Sequence, residues 1–138
     1  MKLFLNLFLI LNTSAIFSQK YSLSVTATGF PDNVGQAYIG LYRATDDFPV
    51  INKQYLGKVV KISGNSASLN FINLSSGNYA VAVFHDRNCN GVLDTNFFGI
   101  PTEEYGFSNN ARSTFSAPSF SAASVSVTSN KSISISVQ

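Results

Sequence analysis

A chain of 138 residues has room for one ordinary domain. Nine Lys and Arg against seven Asp and Glu give a net charge of +2, with no basic run, which excludes a nucleic-acid binder of the counterion-releasing kind. With 45% hydrophobic and 12% charged residues the chain is not a disordered tail, and one Cys and one His exclude an internal disulfide, a CxxC site and any site needing two imidazoles.

In chain order, residues 1–18 come first. Met1-Lys2 is followed by an apolar stretch from Leu3 to Phe17, then Ser18 and Gln19. A positive start, a short greasy core and a small residue before a polar one predict a signal peptide cleaved after Ser18. Asn6, Asn12, Thr13 and Ser14 interrupt the run, which is too impure for a membrane span. The mature chain, Gln19 to Gln138, is then expected to be secreted, periplasmic or extracellular, with no span after cleavage and no lipid-modified Cys. Its 8 basic and 7 acidic residues single out no partner.

The rest reads as strands. In Tyr21–Thr28, Tyr21, Leu23, Val25 and Ala27 alternate with Ser and Thr, the period of a half-buried strand. Gln36–Arg43 sets Ala37, Ile39 and Leu41 against Tyr38, Gly40 and Tyr42. Lys58–Ser63 and Ala67–Phe71 flank Gly64-Asn65, a type I′ hairpin signal. Tyr79–His85 is apolar on both faces, as a central strand would be. Ser124–Thr128 and Ser132–Val137 close the chain around a turn at Asn130. No window of helical length shows apolar residues at 3.6 spacing. The expectation is an all-β fold, an antiparallel β-sandwich of about seven strands, transthyretin-like or immunoglobulin-like, with one long ordered loop. Leu23, Val25, Ile39, Leu41, Leu69, Phe71, Val81 and Val83 should face its core.

That loop, Asp86 to Phe120, has no strand period but carries Phe97, Phe98, Tyr105, Phe107, Phe115 and Phe120. So many large apolar groups predict that it folds back on the sandwich. It opens as Asp86-Arg87-Asn88-Cys89-Asn90-Gly91-Val92-Leu93-Asp94. Against the calcium-loop pattern, Asp86, Asn88 and Asn90 take positions one, three and five, and Gly91 takes the sharp turn. Val92 offers its carbonyl at seven and Asp94 falls at nine. Phe97 stands at position twelve where a bidentate Glu belongs, so Glu103 or Glu104 would have to supply the last ligand. The expected ion is Ca2+, held weakly. The competing reading is an Asx-rich turn with no ion.

His85 could be half of a transition-metal site, but no second nitrogen or thiolate accompanies it. Its plainer reading is a strand-end His bonded to loop backbone, and Cys89 reads as a small filler. A hydrolase would pair His85 with Ser108, yet Gly106-Phe107-Ser108-Asn109-Asn110 lacks the Gly-x-Ser-x-Gly elbow. No enzyme is therefore expected. The chain reads as a binding or structural module. The alternative is a carbohydrate- or peptide-binding domain that uses Tyr105, Phe107 and Phe98 against an unknown protein, peptide or glycan ligand.

Phe84-His85-Asp86-Arg87-Asn88-Cys89-Asn90-Gly91-Val92-Leu93-Asp94-Thr95-Asn96, Phe98-Gly99-Ile100-Pro101-Thr102-Glu103 and Tyr105-Gly106-Phe107-Ser108-Asn109-Asn110 resemble an uncharacterised secreted bacterial family, domain of unknown function 2141 (DUF2141). Gly35 to Tyr42 and Gly77-Asn78-Tyr79-Ala80 resemble it too, so the likeness covers most of the mature chain. Cys89 stands where the family usually has Gly or a similar residue, and Ser116-Ala117-Pro118 replaces a Gly-Pro-Pro-like segment. The resemblance implies a secreted β-sandwich of unknown activity. The Gly77 to Val81 strand start is also similar to transthyretin-like and carboxypeptidase-regulatory-like modules, a likeness of fold alone.

Overall fold

In a computed structural model, residues 14–138 are described. The leader expected over 1–18 lies mostly outside them; Ser14 to Gln19 are exposed and irregular. Among the described residues no helix is long and apolar enough to cross a membrane.

Among the described residues eight strands form two sheets: β1 (Lys20–Thr28), β2 (Gln36–Arg43), β3 (Leu56–Lys61), β4 (Ser66–Ser75), β5 (Gly77–Asp86), β6 (Tyr105–Phe107), β7 (Val125–Val127) and β8 (Lys131–Ser136). One sheet has the order β4-β1-β8. The other runs β3-β2-β5-β6, with β7 also on β5. The only α-helix among the described residues, α1 (Phe120–Ala123), is one turn long, and Ser119 caps it by accepting from Ala122 N; a single 3-10 turn, Ser108–Asn110, precedes it.

The expected sandwich is present, with one departure from antiparallel pairing. β8 runs parallel to β1, Leu23 opposite Lys131 and Thr28 opposite Ser136. Two strands joined by a hairpin must be antiparallel, but β8 arrives after a long excursion and is free of that constraint. β6, inside the stretch expected to hold no strand, is three residues long, too short for alternation to register.

Alternation on β1 and β2 sends Leu23, Val25, Ala27, Ala37, Ile39 and Leu41 into the core, where they meet Phe71, Val81, Val83, Val127 and Ile135. Of the expected core residues only Leu69 is partly exposed. The Gly64-Asn65 turn has φ of +59° and +57°, both left-handed as a type I′ turn requires. β5 is central and covered on both faces: Val81 and Val83 belong to the inter-sheet core, while Ala80 packs with Phe107 and Ala123 on the opposite side. The outer face of the five-stranded sheet is thus partly covered, by the long loop and by Phe48 from the connection between β2 and β3. The sandwich closes at one corner, where Tyr105 and Gln138 exchange backbone hydrogen bonds of 3.1 Å.

Candidate functional site

The loop leaves the end of β5 and is held by three side chains. Asp86, fully buried, accepts from Asn90 N through Oδ1 (3.0 Å), and through Oδ2 from Gly91 N (2.9 Å) and from Gln36 Nε2 (3.0 Å). Glu103, only 7% exposed, ties the two ends of the turn together. Its Oε1 accepts from Arg87 N (2.9 Å) and its Oε2 from Asp94 N (3.0 Å). Arg87 itself reaches back to Asp32 at 2.7 Å. The backbone N–H of Val34 and then the Arg87 guanidinium hold the Asp32 carboxyl below the usual carboxylate range. Farther out, Asn96 Oδ1 accepts from Phe98 N (2.9 Å) and Ile100 N (3.1 Å) and shapes the tip.

The expected ion ligands separate into two groups. Asp94 meets the amides of Asn88 (2.7 Å) and Asn90 (2.9 and 3.1 Å), so three of them do converge. Asp86 turns inward, onto backbone N–H groups. Val92 N is bonded to Asn90 Oδ1 at 3.1 Å. Of the two acids proposed for the last position, Glu103 sits at the turn and Glu104 faces His85. Among the described residues no three His, Cys, Asp or Glu side chains cluster at metal-binding spacing. An ion here would therefore depend on amide and carbonyl oxygens as much as on carboxylates.

His85 is fully buried. Its Nε2 donates to the carbonyl of Val34 and its Nδ1 lies 2.8 Å from Glu104 Oε2. That is the backbone-bonded strand-end His the sequence indicates. Ser108 is equally buried; its Oγ accepts from Val81 N (2.9 Å) and donates to the carbonyl of Ala123. The groups of the hydrolase reading are thus engaged in structure on atoms that solvent does not reach. Cys89 corrects its expected role as filler: it is exposed, with φ +56°.

The loop's larger consequence is a groove. Tyr38, Ala82, Phe84, Tyr105 and Phe107, on the outer face of the five-stranded sheet, form its floor. Phe98 to Pro101 form one wall, Pro49 and Ile51 another, and Ser113 to Ala117 a third. The volume is about 600 Å³ and none of the lining residues is charged. Tyr38 stacks on Phe84 (centroids 5.2 Å, planes 20° apart), and Phe48 joins Tyr42, Phe107 and Phe120 by edge contacts of 5.2, 5.7 and 6.2 Å. Burial pushes the Tyr42 hydroxyl up to about 12. Of the three aromatics proposed as a platform, Phe107 is buried in the floor, Tyr105 is half-buried and Phe98 is 82% exposed on the wall. Tyr38, Tyr42, Pro49 and Ile51 escaped sequence reasoning. The available signal was aromatic side chains on the face of β2 opposite Ala37, Ile39 and Leu41, which a solvated face would not carry.

The chain belongs to the family described as uncharacterized protein conserved in bacteria (DUF2141), whose model matches residues 25–136. No curated protein matches the sequence. Among solved structures the chain is similar to a mutant of the pilus-presented adhesin Spy0125 (Cpa), at 16% identity and a TM-score of 0.26. The match covers 86% of this chain and 27% of the adhesin, so the chain spans about a quarter of that structure.

Proposed function

We propose that the chain is a secreted, non-enzymatic binding module whose ligand is uncharged and apolar and lies in the groove on the outer face of the five-stranded sheet. The groove carries the reading: its volume of about 600 Å³ and aromatic, charge-free lining suit a small apolar ligand or chain-like segment. A sugar is the poorer fit, since its hydroxyls would find few partners. Binding of the uncharged fluorophore N-phenyl-1-naphthylamine tests this. Wild type should bind it saturably, and Ala82→Phe, which fills the floor, should abolish binding while leaving the melting temperature within a few degrees. No saturable binding, or equal binding by Ala82→Phe, refutes the groove reading.

A second reading concerns Ca2+ at the Asp86–Asp94 loop, with Asp86, Asn88, Asn90, the Val92 carbonyl and Asp94 as its ligands. One observation favours it. Among the described residues neither Asp86, Asp94 nor Glu103 has a Lys or Arg partner, although two of the three are buried. A cation would offset that concentrated charge. Half-turns of the Asn88 and Asn90 amides would aim oxygens at the point where their NH2 groups meet Asp94. At millimolar calcium a weak site adds about 1 kcal/mol, a melting shift of a few degrees. Asp94→Asn should remove that shift and leave stability in chelator unchanged. Identical melting with calcium and with chelator in wild type excludes the ion.

A further inference from the structure

Two loops at the groove's mouth end in large apolar side chains that nothing among the described residues covers. Phe97 is 98% exposed, Phe98 82% and Ile100 58% on one loop, and Phe115 is 99% exposed on the other. A soluble surface rarely holds such a cluster without a use for it. From these groups we infer that the mouth of the groove is a docking surface for a lipid bilayer, which the two loop tips enter.

Three observations favour a bilayer over a ligand confined to the groove. First, Phe97 does not line the groove, yet it lies against Phe98 with ring centroids 5.5 Å apart. A groove ligand would leave it in water, whereas an apolar medium surrounding the tips would cover it. Second, the tips are neutral: Asn96 to Pro101 and Ser113 to Phe120 contain no charged residue. The flanking charges are engaged within the chain: Asp94 with Asn88 and Asn90, Glu103 with the backbone N–H groups of Arg87 and Asp94, and Arg112 with the carbonyls of Tyr105 and Ser136. Third, the first tip has already satisfied most of its own donors. Asn96 N bonds Ile100 O (2.8 Å), Gly99 N bonds Asn96 O (3.0 Å), and Asn96 Oδ1 takes the N–H groups of Phe98 and Ile100. Unpaired backbone groups make an irregular loop costly to move into hydrocarbon, and four N–H groups of this tip are paired within the loop, which lowers that cost.

Because the tips carry no charge, zwitterionic lipid should suffice and salt should not matter. The surface shares the groove's walls, Phe115 among them, but it also needs Phe97, which lies outside the groove, and it does not need the floor.

The chain has no Trp, so a single introduced indole reports its own position. Phe97→Trp, Phe115→Trp and, on the opposite sheet, Ile72→Trp would each be mixed with phosphatidylcholine vesicles. All three positions are exposed, so folding is not at stake. Emission at 97 and at 115 should shift to shorter wavelength and be quenched by bromine carried on the acyl chains, while Ile72→Trp changes neither way. Attachment through any other apolar segment would not produce that pattern. Phe97→Ser should weaken partitioning of the Phe115→Trp protein by roughly ten- to hundredfold, the effect of re-exposing one Phe. The inference is overturned if neither position responds, if only one does, or if Ile72→Trp responds equally. A response to an apolar peptide with none to vesicles overturns it in favour of a protein partner. Ala82→Phe, which tests the groove, should leave the bilayer response intact, so the two readings fail separately.

Discussion

Glu103→Gln isolates the tether of the long loop. The Glu103 carboxylate, 7% exposed, accepts from Arg87 N at 2.9 Å and Asp94 N at 3.0 Å, one oxygen to each end of the turn. Hydrogen bonds to a charged acceptor contribute about 1.5–3 kcal/mol each, so the pair sets an upper limit of about 3–6 kcal/mol. Two effects reduce it. The amides rehydrate once the turn opens, and the carboxylate, which has no cationic partner, recovers its own hydration. Glu103→Ala should therefore cost about 2–3 kcal/mol. Gln has nearly the same shape, but offers one acceptor oxygen and points its NH2 at the other backbone N–H. If Glu103 acts as a double acceptor, Gln should still cost about 1–2 kcal/mol. If it merely fills space, Gln should be neutral. Urea denaturation gives the stability difference, and amide hydrogen exchange at Arg87 and Asp94 locates it. Glu103→Gln within about 0.5 kcal/mol of wild type, with exchange unchanged at both amides, refutes the tether.

Three further outcomes are expected. Gly35 has φ +73°, and a Cβ there would lie 2.5 Å from Arg87 Cα and closer still to the carbonyl of Asp86, so Gly35→Ala should cost about 3 kcal/mol or more in denaturation. Ser108→Ala orphans the buried Val81 N–H and should cost about 1–3 kcal/mol by the same assay. Tyr42 is raised from 10.0 to about 12 by burial. A raised folded value means that the stability it contributes is full below pH 10 and lost as pH rises towards 12. Absorbance titration should show one of the six tyrosines ionising last, together with unfolding, and Tyr42→Phe should remove that step.

The sheets were legible because their residues alternate. Leu23-Val25-Ala27 and Ala37-Ile39-Leu41 announce an inward face, and β2 has the bounds that pattern indicates. β8 was legible as a strand but not as a parallel one, since pairing direction depends on the path between strands and alternation is blind to it. Of the site, the Asp86 to Asp94 turn was visible from its Asx spacing and its sharp-turn glycine. The inward rotation of Asp86 was not, because the spacing of oxygens does not say whether they face an ion or the backbone. In the sequence Glu103 stands out only as a spare ligand. Its role as tether depends on the return of residues 94–103 beneath the turn, a contact set by three-dimensional closure. The groove was the least legible part. Its floor comes from β2, β5 and β6, and its walls from three separate loops.

The floor and the walls of the groove are held by different forces, and this bears on what each can do. Tyr38, Phe84 and Phe107 lie on strands hydrogen-bonded across the five-stranded sheet, so the floor moves only if the sheet does. The Phe98 to Pro101 wall rests on carboxylate and amide contacts, from Asp86 and Glu103 at its base and Asn96 at its tip. Almost none of its position comes from burying its own apolar groups, since Phe97 and Phe98 remain in solvent. In an ordinary loop a large apolar side chain is spent on anchoring. Here polar tethers do the anchoring, and the aromatic side chains at the tip are left available for contact outside the chain.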